Sequence, residues 1–451
     1  MMKTKEWQVL GAVIATGMMG FSGVLIETSM NVTFPHLMQE FHTNASGVQW
    51  VTTGYLLAIA VVVPVTAYLI RRFSVRQLFT WSNGVFILGL MLDSFSPTLA
   101  ILLLGRLAQG IGTGIALPLM FHIILTKSPL AKRGVMMGIG TMTTSIAPAI
   151  GPTYGGLLLS TLGWRSIFWF LLLILGFSLV LGLRSIPAEQ THPKETLNWG
   201  AFLSLALGLT ALLLAIDGQS VWLALVSLLP FTCFILMNRR HPLLNLRIFK
   251  LAGFAGMVYA FLVFQAVLLG LSFVLPNYLQ LALHVSATTA GLFMFPGAVM
   301  GAILAPVSGR LLDRYGYAKP IGFGLVTATL ALMVMTWFFP RLSFGGLLLG
   351  HVVLMTGVGF AYSNLMTTAL GLLPIEDHAD GNSVLNTLQQ FIGASATAVM
   401  AQFLAQAVAK HPVTGVVQGS QNGLMCLTML ILIAVIVFGA NLIYLKHKAS
   451  V

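Results

Sequence analysis

The sequence predicts an all-α membrane protein, and three observations carry that prediction. Hydrophobic residues make up 57% of the 451-residue chain and charged residues only 8%, proportions unlike those of water-soluble domains. Apolar runs of about 20 residues, the length a helix needs to cross a ~30 Å hydrocarbon core, recur from end to end and leave no room for a separate soluble domain. Lysines and arginines gather in short clusters between those runs, which reads as membrane topology and not as a nucleic-acid footprint, despite a formal charge of +12.

Hydropathy, with breaks at proline, glycine and charge, divides the chain into fourteen spans. The first, 8–34, follows Lys3 and Lys5 as a signal peptide would, but it is too long and no small-residue cleavage site follows it. Arg71, Arg72 and Arg76 separate 47–70 from 77–95, and Lys127, Lys132 and Arg133 separate 98–124 from 135–159. The span 166–184 follows Arg165 and ends at Arg184. After Lys194 come 199–216 and 221–238, closed by Arg239 and Arg240, while Arg247 and Lys250 precede 253–276. Arg310, Arg314 and Lys319 divide 288–308 from 319–339. Arg341 precedes 344–373, Lys410 closes 384–409, and Lys446 and Lys448 follow 422–445.

An even number of spans puts both termini on one side. That side collects nineteen of the twenty-three lysines and arginines, the other holds Arg165, Arg341 and Lys410, and Arg106 lies within a span. Both termini are therefore expected in the cytoplasm. One inner loop is acidic, with Glu376, Asp377 and Asp380, but acidic residues contribute little to orientation. Cys233 and Cys426 sit in apolar spans and read as packing residues. No metal-ligand cluster is spaced for a site, and Gly110-Ile-Gly-Thr-Gly114 lies within a span, follows no strand and lacks the dinucleotide spacing. No nucleotide-binding loop is present either, so no cofactor is expected and the energy source is expected to be a gradient.

Only 11 residues are acidic, and Glu27 is the one placed well inside a span. A carboxylate at the bilayer centre is disfavoured by roughly 2.5–3.5 kcal/mol, so such residues mark ion or substrate pathways. Glu27 is about eight residues before Pro35, and Arg106 about eight residues into the fourth span; at ~1.5 Å per residue both come out roughly 12 Å below the outer edge. An ion pair between them, direct or through water, is the expectation. Asp93 and Asp217 sit where their helices meet the outer surface and read as solvated carboxylates.

Several strings together resemble the major facilitator superfamily, and within it the fourteen-helix drug:proton antiporter branch. Ala147-Pro-Ala-Ile-Gly-Pro-Thr-Tyr-Gly-Gly156 resembles the family's antiporter motif, with Pro148 and Pro152 on one face and Gly151, Gly155 and Gly156 admitting a close helix. Leu104-Gly-Arg-Leu-Ala-Gln-Gly110 is similar to the fourth-helix motif, whose arginine is associated with proton transfer. Ile26-Glu-Thr-Ser-Met-Asn-Val-Thr-Phe-Pro35 resembles the branch's first-helix motif, with glutamate in place of the usual aspartate. Trp50 with Tyr55-Leu56-Leu57, His241-Pro-Leu-Leu-Asn-Leu-Arg-Ile-Phe249 and Pro276-Asn-Tyr-Leu-Gln280 extend the likeness over nearly the whole chain. Ala67-Tyr-Leu-Ile-Arg-Arg-Phe-Ser74 and Gly309-Arg-Leu-Leu-Asp-Arg-Tyr-Gly316 echo one another after the second and tenth spans. The second copy keeps the family's Gly309, Asp313, Arg314 and Gly316, whereas the first has Ala67, Arg71 and Ser74 where a Gly, the state-latching Asp and a Gly are usual. The thirteenth span carries no acid.

The resemblance implies a major facilitator fold: a six-helix bundle over 1–190, two inserted helices over 191–250 and a second six-helix bundle over 251–451. It implies a transporter and not an enzyme, in a bacterial cytoplasmic membrane, monomeric, with protons and lipophilic, often cationic small molecules as partners and no nucleic acid. Glu27 and Arg106 would couple the proton, since a protonated carboxyl binds no cation and an ionised one attracts it. Tyr259, Phe264 and Gln265 on the ninth span, with His351, Met355, Phe360, Tyr362 and Asn364 on the twelfth, would line an adaptable substrate cavity. The alternatives are export of an anionic or zwitterionic metabolite on the same fold, because arginine also holds carboxylates, and, more remotely, a membrane sensor that transports nothing.

Overall fold

The computed structural model describes residues 7–129, 133–188, 197–239, 242–374 and 377–450; Lys3, Lys5, Lys132, Lys194, Arg240, His241 and Glu376 lie outside the described residues. Among those described, the chain forms fourteen long helices and no strand. They are α1 Val9–Glu40, α2 Trp50–Arg72, α3 Val75–Ser94, α4 Leu99–Lys127, α5 Arg133–Leu162, α6 Ser166–Ser185, α7 Trp199–Asp217 and α8 Val221–Asn238. Then follow α9 Phe254–Leu281, α10 Ala287–Tyr315, α11 Ala318–Phe338, α12 Phe344–Gly371, α13 His378–Lys410 and α14 Gly415–Ser450. Within the described residues, twelve helices, α2 counted with the short turn before it, are long and apolar enough to cross a membrane. One helix outside that set is α3, which carries Arg76, Gln77, Asn83 and Asp93.

Local chemistry sets many of the helix starts. Thr98, Asn198, Ser220, Ser286 and Ser343 each accept a backbone N–H of the first turn of α4, α7, α8, α10 and α12, which satisfies donors that a helix leaves orphaned. Ser74 and Gln77 form a reciprocal capping box at the start of α3. That cap explains the departure at Ser74 in the first loop motif: α2 ends on Phe73 in an extended conformation, so no glycine is called for. In the second copy α10 ends on Gly316 at φ +75°, a conformation that glycine adopts without strain.

Five helices, α1, α9, α10, α13 and α14, overrun their predicted limits by five residues or more at one end. Pro35 does not end α1, which continues to Glu40; the proline removes only one ladder bond, and the last turn is held because Glu40 accepts from Trp164 and Arg165. α13 begins at His378, with Asp380 in its first turn, where a negative charge suits the helix dipole. α14 begins at Gly415, whose missing side chain lets its backbone approach Ala407.

The helices divide into two compact units, Met1–Thr43 with Gly47–Leu243 and Asn44–Ser46 with Leu244–Val451. In the first, α1 packs chiefly on α5, and also on α4 and α6, while α4 packs on α2 and α3. The pair α7 and α8 belongs to this unit and meets it through α2. α8 leaves Val221, Trp222, Leu228 and Leu229 exposed, a surface suited to lipid and not to water. In the second unit α9 is buried along most of its length against α12, α13 and α14, and α12 packs on α10 and α11.

Candidate proton and substrate site

The site in the first unit is built on one face of α1. Gly23, Glu27 and Asn31 recur at four-residue intervals and so line up along the helix. One turn before Glu27, the Tyr55 hydroxyl of α2 donates to the Gly23 carbonyl at 2.8 Å and lies 2.9 Å from the Thr113 hydroxyl of α4. One turn after it, the Thr52 hydroxyl donates to Asn31 Oδ1 at 2.9 Å. Another face of the same turns is held by α5. A Cβ on Gly151 would fall 1.8 Å from Thr28 Oγ1 and one on Gly155 would fall 2.4 Å from the Ser29 carbonyl. The Ser29 hydroxyl donates to the Gly151 carbonyl at 2.9 Å. Gly151, Pro152, Gly155 and Gly156 are all buried, so the antiporter-like string acts as a seat for the segment of α1 that carries Glu27. Glu27 itself is 7% exposed.

Arg106 reaches the same region from α4. Its side chain is 0% exposed, its Nε donates to the Val51 carbonyl at 2.8 Å, and one terminal nitrogen donates to Gln109 Oε1 at 2.6 Å. The guanidinium carbon lies 4.2 Å from the centroid of the Tyr55 ring, a cation–π contact. Glu27 and Arg106 interact electrostatically without touching; the guanidinium is fixed by backbone, amide and ring. Glu27 is thirteen residues from the end of α1, which continues past Pro35, and Arg106 is seven residues from the start of α4.

Asp93 overturns its reading as a solvated carboxylate. It is 0% exposed, and its Oδ2 accepts from Gln109 Nε2 at 2.7 Å. Arg106, Gln109 and Asp93 thus form one chain of polar groups between α4 and α3. Gly105 makes room for it, since a Cβ there would fall 1.8 Å from Asp93 Oδ1. One sequence signal pointed this way: Gln109, three residues after Arg106, shares its helix face. Asp217 also has partners, accepting from Trp50 Nε1 at 2.8 Å and Gln49 Nε2 at 3.2 Å. It fastens α7 to the start of α2 and takes no part in the buried cluster.

The eight residues expected around a substrate cavity fall into separate groups of the second unit. The Tyr362 hydroxyl donates to Gln265 and accepts from Gln389 Nε2 at 2.7 Å, while Phe261 stacks on its ring with centroids 4.9 Å apart. Phe264 is buried and Tyr259 half-buried on the same helix. His351 is buried against Gly297 and Phe293, and Met355, one turn on, is also close to Gly297. The remaining two are committed to helix packing. Asn364 donates to Ser308 Oγ at 2.7 Å, and Phe360 meets Phe323 edge-on at 4.8 Å. Gln389 on α13 escaped notice because a lone amide in an apolar run carries no motif. Gly309, Asp313 and Arg314 lie at the end of α10, with Asp313 exposed and Arg314 over the Tyr315 ring.

Comparison with known proteins gives the fold and the site their context. The chain is 35% identical over 425 residues to the lincomycin resistance protein LmrB of Bacillus subtilis (strain 168), covering 89% of this chain and 87% of that protein. It is 28% identical over 415 residues to the multidrug resistance protein B homolog of Mycobacterium tuberculosis (strain ATCC 25618 / H37Rv), covering 87% and 75%. Among solved structures, the POT family transporter PepTSo superposes with a TM-score of 0.71 over 97% of this chain and 98% of that one, at 14% identity; this likeness speaks for the fold alone. The family model described as the Major Facilitator Superfamily matches residues 14–398, and with that match over most of its length and fourteen long helices among the described residues, the chain belongs to that superfamily of membrane transporters.

Proposed function

We propose that the protein is a proton-coupled antiporter that exports lipophilic, often cationic compounds by alternating access. The observation that carries this reading is Glu27, a buried carboxylate within electrostatic reach of Arg106 on α4. A carboxylate in that position attracts a cation when ionised and not when protonated, so protonation of the site and binding of a cationic cargo oppose one another. The names of the relatives, resistance to lincomycin and to multiple drugs, support drugs as the cargo class. The full burial of Arg106 and its bonds to Val51 and Gln109 favour a cationic cargo over an anionic one, because two of the three guanidinium nitrogens are already engaged within the protein. Gln265, Tyr362 and Gln389, with Phe261, Phe264 and Tyr259, would supply neutral hydrogen bonds and aromatic surface to the substrate, and His351 with Met355 a second apolar contact. Gly309, Asp313 and Arg314 would govern the change of state. The transporter would work as a monomer with both termini in the cytoplasm.

The test is ethidium and proton flux in proteoliposomes holding the full chain. A pH gradient drives ethidium accumulation by the wild type, and Glu27→Gln abolishes it. Full gradient-driven accumulation by Glu27→Gln would remove Glu27 from the coupling site.

A further inference from the structure

A charge count around Arg106 exposes a gap in a single-carboxylate exchanger. Arginine stays charged at any physiological pH, so Arg106 and an ionised Glu27 are already neutral together, with no proton bound. Adding a cationic substrate leaves that pair with a net positive charge, and adding a proton does the same. Net charge in a buried, low-dielectric site is costly, and a pair that is neutral when empty has no proton to give in exchange. One further buried carboxylate closes the count.

We infer that Asp93 is that second carboxylate, and that it carries the exchangeable proton while Glu27 stays ionised beside Arg106 and binds the cation. This rests on Glu27 being the cation-binding acid. Asp93 is fully buried and tied to the guanidinium through Gln109, with 2.6 Å from Arg106 to Gln109 and 2.7 Å from Gln109 to Asp93. Asp93 Oδ1 and the second terminal nitrogen of Arg106 have no hydrogen-bond partner among the described residues. Among the described residues, the charged group that α4 presents to Asp93 is Arg106, whose guanidinium lies over the Tyr55 ring of α2. From α6 the nearest is Arg165, just before its first turn, which donates to the Ser96 carbonyl at 2.7 Å.

The exchange balances. Before the cation arrives, Arg106 is positive, Glu27 negative and Asp93, the drier of the two acids, carries the proton, so the cluster is neutral. When a monovalent cation binds beside Glu27, Asp93 releases its proton to water, and two positive charges face two negative ones. When the cation leaves, a proton from water returns to Asp93. One proton is exchanged for one cation, and no net charge is moved.

Proton release on adding ethidium to the purified full-length protein in weakly buffered detergent solution tests this directly. The wild type releases one proton for each ethidium bound, and in Asp93→Asn the proton released per bound ethidium falls to none. If Asp93→Asn still releases one proton per ethidium while Glu27→Gln no longer binds it, Glu27 titrates alone and the role of Asp93 is overturned, with the proposed function intact. A wild type that binds ethidium without releasing a proton overturns both. Should Asp93→Asn fail to fold, infrared difference spectra of the wild type decide. The protonated carboxyl band lost on ethidium binding shifts when aspartate is carbon-13 labelled; a band that shifts only with labelled glutamate overturns the inference.

Discussion

Arg106 is positioned by contacts that a simple positive charge would not reproduce. Its Nε, its terminal nitrogen and its planar face each meet a different partner, in Val51, Gln109 and Tyr55, and lysine offers neither the fork nor the plane. Arg106→Lys keeps the charge and loses the Nε bond to the Val51 carbonyl. Hydrogen bonds made by charged groups are worth about 1.5–3 kcal/mol, so the initial rate of pH-gradient-driven ethidium uptake should fall roughly tenfold or more. An unchanged rate would show that charge alone suffices at this position. The importance of Arg106 was legible in the sequence, because a buried arginine within an apolar span is rare. Its link through Gln109 to Asp93 was not. Asp93 lies one residue from the end of α3, where a carboxylate ordinarily meets water, and only the packing of α4 across Gly105 keeps it dry.

At the scale of elements, the crossing of α1 and α5 sets the height and rotation of Glu27. A methyl group on Gly155 would meet the Ser29 carbonyl at 2.4 Å, a backbone atom that cannot swing aside. Gly155→Ala should therefore force the helices apart, with an overpacking cost of about 1–3 kcal/mol. Its thermal unfolding midpoint in detergent should drop, and ethidium transport with it. Gly309→Ala is the contrast: a Cβ there meets nothing within 4 Å, so the midpoint should hold or rise, as expected for alanine in a helix. Equal losses in the two variants would mean that close approach is not the reason for the glycines of α5. The Gly and Pro string of α5 announced a tight crossing, but not the partner. That the partner is α1, at Thr28 and Ser29, follows from tertiary packing alone.

At the scale of the whole molecule, α7 and α8 are inserted in sequence between the two helix sets yet cluster with the first unit. Asp217 is the visible fastening, accepting from Trp50 and Gln49 at the start of α2. Asp217→Ala leaves both donors without that acceptor, a loss of about 1–3 kcal/mol, and should lower the unfolding midpoint while each folded molecule still couples ethidium to protons. Loss of coupling without loss of stability would place Asp217 in the transport mechanism.

The sequence by itself determined the fold class, the series of long helices and the family. Each of these follows from a requirement imposed along the chain: a bilayer demands about 20 apolar residues per crossing and an internally satisfied backbone, whatever the neighbours are. It also singled out Glu27 and Arg106, because charges in such runs are costly enough to be conspicuous. The tertiary structure decided which groups meet. Helices that are apolar nearly all round carry little periodicity to mark their inward face. The rotation and register that join Asp93 to Arg106 through Gln109, seat Thr28 and Ser29 of α1 against α5 and divert Asn364 to Ser308 are set by the fit of small residues and backbone between helices. That fit exists only once the helices are packed.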